Sequence, residues 1–263
     1  MLIFLHFILI WIKELFMEIT RKAILIGSSE VSPELPGVES DMKRYYDFLI
    51  SNNGGAWEED EILVSLNEKK QYIFQKLNSL TDIDFAFILI AGHGEFQIYN
   101  NDFNDSRTGT YYYITETDII LLNRLFPQVL RSLIIVDVCR ENIYINEQKS
   151  QKDSRIFNLS GKNINRLHRE DYRALYDEQI RKCPQARTIL YSCKPDQTAG
   201  DNGDGGFFSK ALLKSYRNDG LGDIISCKEA FDYAKTYVYE NHYPQLPIMY
   251  GGRGRIFFPF ALS

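Results

Sequence analysis

The stretch FAFILIAGHGE, Phe85 to Glu95, decides how this chain is read, together with LIIVDVCRE, Leu133 to Glu141. Each is an unbroken apolar run (Phe85 to Ile90, then Leu133 to Val136) that ends in a cluster of glycines or reactive side chains. Apolar runs without alternation read as strands buried on both faces, as in a parallel sheet covered by helices. The residues just past such strands lie at the carboxyl edge of the sheet, where open α/β folds hold their ligands. The first run delivers Gly92-His93-Gly94 to that edge and the second delivers Cys139. A thiol nucleophile and a separate base need this placement.

Working outward, strands and helices alternate. Lys22 to Ile26 reads as a short buried strand, and Val38 to Ser51 as a helix with Val38, Met42, Tyr45, Phe48 and Leu49 on one stripe. Glu61 to Leu66 is the next strand and Glu68 to Leu80 the next helix. After the His93 strand comes an irregular polar region, Gln97 to Tyr111, and then a helix from about Thr115 to Leu125, opened by potential N-cap side chains. Beyond Cys139, residues 140 to 187 contain no strand-like run, only a polar loop and a helix around Glu170 to Lys182. Thr188 to Cys193 is a further strand; helices come next at Phe207 to Tyr216 and Cys227 to Tyr239, then an extended aromatic tail from Pro244 to Phe260. Repeated β-α-β units imply a mostly parallel sheet with right-handed crossovers.

The 263 residues suffice for one α/β domain with a sizeable core. A net charge of −5 gives no basic footprint, so nucleic acid is not an expected partner. The four cysteines form no C-x-x-C pair and no ladder of spacings, which argues against a metal site and a disulfide framework and for a reducing, cytoplasmic setting. Residues 1–16, MLIFLHFILIWIKELF, stand apart as an apolar extension. They are short for a bilayer span and lack a cationic n-region and a cleavage site, so membrane attachment is expected only through this segment, if at all. Met17 is an alternative start, and residues 17–263 are then the functional domain.

The chemistry comes from the two strand ends. Cysteine attacks as thiolate, and an imidazole takes its proton and later protonates the leaving amine. The resulting oxyanion needs backbone N–H donors outside any ladder, and those of Gly94 and Cys139 itself are placed to serve. Taken singly, Gly-His-Gly is an ordinary turn and a cysteine after a strand is a small core hydrophobe. Their joint placement, 46 residues apart, is the stronger signal.

At these residues the sequence resembles the caspase and metacaspase peptidases, in which the histidine lies about 50 residues before the nucleophile. A-G-H-G and D-x-C-R resemble the family's two active-site strand ends. AILIGSSE…LPGVESDMKRYYDFL resembles its first strand, loop and helix, and Gln197-Thr198-Ala199-Gly200-Asp201 is similar to a metacaspase Gln-Thr-Ser-Ala-Asp run. The resemblance extends from Lys22 to about Leu213 and implies a caspase-like three-layer αβα sandwich around a mostly parallel sheet. It implies a cysteine endopeptidase with His93 as base, Cys139 as nucleophile, and Gly94 with the Cys139 amide as oxyanion hole. Asp137 stands where apoptotic caspases have glutamine, and Leu35-Pro36-Gly37 where they have an arginine that grips aspartate. A carboxylate two residues before Cys139 points to its side of the strand, which suits a substrate Arg or Lys; the alternative is an aspartate bonded to backbone N–H groups. No cofactor is required; calcium, used by many metacaspases, is left open, because Asp196, Asp201 and Asp204 lack a ligand spacing. Cys193 reads as a pocket wall. A protein or peptide substrate, an activating partner protein, and self-cleavage after Lys149, Lys152, Arg155 or Lys162 complete the expectation. A non-catalytic interaction module of the same fold and a different thiol acyl-transfer enzyme are the alternatives.

Overall fold

The computed structural model describes residues 19–97, 109–141, 167–216, 222–241, 243–252 and 254–263. The apolar extension 1–16 and the four candidate cleavage residues Lys149, Lys152, Arg155 and Lys162 lie outside them. In chain order the elements are β1 (Arg21–Ser28), α1 (Pro36–Ile50), β2 (Ile62–Leu66), α2 (Lys70–Asn78), β3 (Phe85–Gly92), β4 (Gly94–Gln97), β5 (Gly109–Tyr113), β6 (Ile119–Leu121), β7 (Ser132–Val138), α3 (Arg169–Lys182), β8 (Arg187–Tyr191), α4 (Phe207–Leu213), β9 (Ile224–Ser226), α5 (Cys227–Glu240), β10 (Ile248–Tyr250) and β11 (Pro259–Leu262).

Six strands form the central sheet in the order β10-β8-β7-β3-β1-β2. All its pairings are parallel except that of the edge strand β10, which runs antiparallel to β8. The two longest apolar runs make the inner strands: every residue of β3 and of β7 is buried. Alternation along them feeds two cores. On one face Leu25, Phe87, Leu89, Leu133 and Ile135 pack with Met42 and Tyr45 of α1, Tyr176 of α3, Phe208 of α4 and Ala234 of α5. On the other, Ile26, Ile88, Ile90, Ile134 and Val136 meet Ile73 and Leu77 of α2, and Tyr112, Ile120 and Leu125. The layers are therefore helix, sheet, helix, with a small antiparallel sheet β4-β5-β6 sharing the second face.

The helix expected from Thr115 to Leu125 does not form. Thr115 and Asp118 close a turn instead, with the Asp118 N–H on Thr115 Oγ1 at 3.1 Å and the Ile114 N–H on the Asp118 carbonyl at 2.9 Å. Ile119–Leu121 then pairs with β5, and Leu122–Leu125 is a single 3-10 turn. The β-branched Ile119-Ile120 pair suits a pleated surface, and Ile120 and Leu122 alternate inward. The same hairpin puts strand at both ends of the region read as irregular, at Gln97 and from Gly109. No helix among the described residues is long and apolar enough to cross a membrane.

Candidate active site

The register sets the two key residues side by side. Gly92 of β3 lies opposite Val138 of β7, the last pair of that ladder, so His93 and Cys139 are the next positions on adjacent strands. At Gly92 the chain adopts φ +143°, a conformation for which glycine is suited, and turns into β4. His93 Nε2 lies 2.6 Å from the Pro33 carbonyl oxygen. A carbonyl only accepts, so Nε2 holds the proton and Nδ1 of the neutral ring is the free base. The loop that carries Pro33 is fastened by Ser29, whose N–H donates to Asn67 Oδ1 at 2.8 Å, and by Ser28, which bonds the Tyr112 hydroxyl at 2.9 Å. Sequence reading missed Pro33, because a backbone carbonyl leaves no mark in residue type.

Gly94 sits against the backbone of Cys139: a Cβ there would fall 2.8 Å from the Cys139 carbonyl oxygen. The Tyr113 N–H donates to the His93 carbonyl at 3.1 Å, which makes 93–113 a hydrogen-bonded pair of the β4–β5 ladder. Antiparallel pairs alternate, so Gly94–Tyr112 is a non-bonded pair and the ladder leaves the Gly94 N–H unused.

Cys139 is part-buried, and its thiol contacts the Ala199 carbonyl oxygen at 3.7 Å. Burial pushes it up to about 11, and the charges of Asp137, Glu141 and Asp201 add to the rise. That shift favours the thiol over a preformed thiolate. Cys193 is fully buried, its Sγ directed at the Gln197 carbonyl at 3.2 Å, and burial takes it to about 12. It is a core residue beneath the strand end. All four cysteines are unpaired.

The Gln197–Asp201 run crosses directly over this edge. The Arg140 N–H donates to the Gln197 carbonyl at 2.9 Å, and the Thr198 hydroxyl to Glu141 at 2.7 Å. Gln245 holds the run from behind, accepting from the Gly200 N–H at 2.6 Å. Arg140 itself is buried, bonds Thr110 at 2.9 Å and stacks over Tyr191 with its guanidinium 4.2 Å from the ring centre. It ties three segments together below the cysteine.

Asp137 shares the α1–α4 face of the sheet, and it is 7% exposed. Its Oδ2 accepts from the N–H of Ser209 at 3.1 Å and from that residue's hydroxyl at 2.6 Å, while Oδ1 is buried without a hydrogen bond of good geometry among the described residues, and the buried Ser192 hydroxyl lies close enough to favour the charged carboxylate. The bonds to Ser209 fit the aspartate held by protein donors, and they occupy one oxygen of the two. Asp41 of α1 lies beside it, 2% exposed. Burial raises both carboxyls, that of Asp41 well above the usual range, and their mutual repulsion adds to the Asp41 shift. Asp41 had a signal that sequence reading passed over: it falls on the apolar stripe of α1, between Val38 and Met42. Among the described residues no group of three or more His, Cys, Asp or Glu side chains is arranged to hold a metal ion, Asp196, Asp201 and Asp204 included.

A caspase-type α/β fold presenting a histidine and a cysteine from neighbouring parallel strands is the class this geometry defines. The caspase-domain family model, Peptidase_C14, matches residues 20–256, and the chain belongs to that family. Caspase-1 from Spodoptera frugiperda is similar in structure, with a TM-score of 0.54 at 13% identity over 89% of this chain and 86% of that one. A protein from Geobacter sulfurreducens gives 0.57 at 15% identity over 91% and 97%. No curated protein matches the sequence. At these identities the structural neighbours speak for the fold.

Proposed function

We propose that the chain is a cysteine endopeptidase that cleaves after Arg or Lys, with His93 as base and Cys139 as nucleophile. The single observation that supports it most is the adjacency of His93 and Cys139 at the end of the β3–β7 ladder, with His93 Nε2 committed to Pro33. Family membership supports a peptidase rather than another thiol acyl-transfer enzyme. His93 Nδ1 takes the Cys139 proton, and the thiolate adds to the scissile carbonyl carbon. The N–H groups of Gly94 and Cys139 take up the oxyanion. The imidazolium then protonates the departing amine, leaving an acyl-enzyme that water hydrolyses, with His93 again as base. Because the resting thiol is held protonated, this transfer is coupled to substrate binding rather than complete beforehand. Asp137, through Oδ1, is the substrate-binding carboxylate, with Asp41 beside it.

Cys139→Ala and His93→Ala should each abolish hydrolysis of an Arg-terminated peptide amide and leave the fold intact. Because the two act as a unit, the double variant should be scarcely worse than either single one. Retained turnover in Cys139→Ala would overturn the assignment. The same variant tests self-processing between residues 142 and 166, after Lys149, Lys152, Arg155 or Lys162. Mass spectrometry should find that segment cut in active protein and whole in Cys139→Ala; full-length protein in both would refute it.

A further inference from the structure

Asp41 and Asp137 are shut in rather than open to a substrate. They are covered by the segment from Asp201 to Gly206, which leads into α4. The Gly206 N–H donates to Asp41 Oδ2 at 2.6 Å, and a Cβ on Gly206 would fall 2.2 Å from Asp137 Oδ2. A Cβ on Gly205 would lie 2.2 Å from Asp41 Oδ1, so bare backbone rests directly on both carboxylates. The outer end of the segment is fastened by one side chain of α1. Arg44 donates through Nη1 to the Asp204 carbonyl and through Nη2 to the Asp204 carboxylate, the latter at 2.5 Å, and Nη1 stands 3.5 Å from Asp41 Oδ1. Lys210 steadies the middle by donating to Asn202 at 2.6 Å.

Two neighbouring carboxylates out of water, one with an oxygen that makes no hydrogen bond of good geometry among the described residues, form a costly arrangement unless a cation reaches them. The closed segment supplies N–H donors, and the Arg44 guanidinium sits mainly on Asp204 with a long 3.5 Å contact to Asp41, so that among the described residues no cation is paired with Asp137. We propose that residues 201–206 form a strap that closes the cation subsite at rest, that Arg44–Asp204 is its latch, and that a substrate Arg or Lys is admitted when the latch parts. This rests on the reading of Asp137 as the substrate-binding carboxylate. The latch is a half-exposed pair, Arg44 at 34% and Asp204 at 67%, so its release should be worth about two- to fivefold.

The test compares Arg44→Ala and Asp204→Ala with wild type in two measurements. One is the rate at which an arginyl peptide electrophile inactivates the enzyme, relative to iodoacetamide. The other is hydrogen exchange at the Gly206 and Ser209 amides. Both variants should react about two- to fivefold faster with the arginyl probe and exchange faster at both amides. Asp204→Ala decides between mechanisms, because the loss of an acidic group would slow a cationic probe if only electrostatic attraction mattered. An unchanged or slower Asp204→Ala reaction with unaltered exchange overturns the strap. If wild type shows no preference for an arginyl over an aspartyl probe, the reading of Asp137 fails separately, and the exchange measurement alone decides whether Arg44 latches the segment.

Discussion

Replacing Asp137 by asparagine separates the two things this residue can do. In the folded protein its Oδ2 accepts two bonds from Ser209, one from the N–H at the start of α4 and one from the hydroxyl at 2.6 Å. Asparagine keeps an oxygen of the same size in that place, so those bonds survive in weakened form and the fold should hold. The substitution removes the negative charge. A charge-assisted hydrogen bond to a substrate guanidinium contributes about 1.5–3 kcal/mol, and each ~1.4 kcal/mol is a factor of ten in rate. The neighbouring Asp41 stays in place, which argues for the lower half of that range. Asp137→Asn should therefore lose about ten- to thirtyfold in kcat/KM for peptides cleaved after Arg, and much less for peptides with a neutral residue there. The assay is a peptide series varied only at the residue before the cut, with thermal unfolding run alongside. An equal loss on arginyl and neutral peptides, or a lowered Tm with the Arg preference intact, would show that Asp137 serves α4 and not the substrate. A wild-type preference for Asp would refute the reasoning at its root.

Two further outcomes are expected from the same structure. With the Cys139 thiol raised to about 11 from an ordinary value near 9, alkylation of the resting enzyme by iodoacetamide should climb through pH 9–10 without a plateau; a plateau near neutrality would mean a preformed thiolate–imidazolium pair. The sign for stability is that a folded-state pKa above the unfolded one favours folding below about pH 9, and this contribution is lost as pH rises towards 11. Arg21, buried at the start of β1, lies 2.9 Å from Asp177 and 3.6 Å from Glu61, with its guanidinium 4.5 Å above Trp57. Among the described residues Arg21→Met leaves Asp177 with a 3.9 Å contact to Arg173, so urea unfolding should register a loss of about 3–5 kcal/mol, largely recovered in Arg21→Met/Asp177→Leu; a loss below about 1 kcal/mol would refute the pairing argument.

The parallel sheet was legible because β3 and β7 are apolar throughout, a pattern that few other environments tolerate. The hairpin layer was not. Thr115-Glu116-Thr117-Asp118 has the residue types of a helix start, but Asp118 uses Thr115 to close a turn, and pairing with β5 overrides the local preference. Short apolar runs such as Ile119–Leu122 satisfy both periods, and only the partner strand decides between them. At the candidate site, side-chain chemistry could be read from the chain and backbone chemistry could not. His93, Gly94, Asp137 and Cys139 stand out by type and position. The carbonyls of Pro33 and Ala199, which orient the imidazole and receive the thiol, belong to residues of no chemical distinction.

That division bears on how the site is set at rest. Each of the two candidate reactive groups has a carbonyl partner, and a carbonyl can only accept. Pro33 therefore fixes the proton on His93 Nε2, and Ala199 can be bonded by the thiol but not by the thiolate. Burial and the carboxylates of Asp137 and Glu141 also disfavour the thiolate of Cys139. An incoming cationic side chain would oppose the charge influence, because it offsets the Asp137 carboxylate, one of the charges that raise the thiol. That change lowers the cost of ionising Cys139. If Asp137 binds the substrate as proposed, the acidic subsite would do more than select it, since the charge it selects for would relieve its own suppression of Cys139. A substrate with a neutral residue in that position should accordingly lose in kcat as well as in KM.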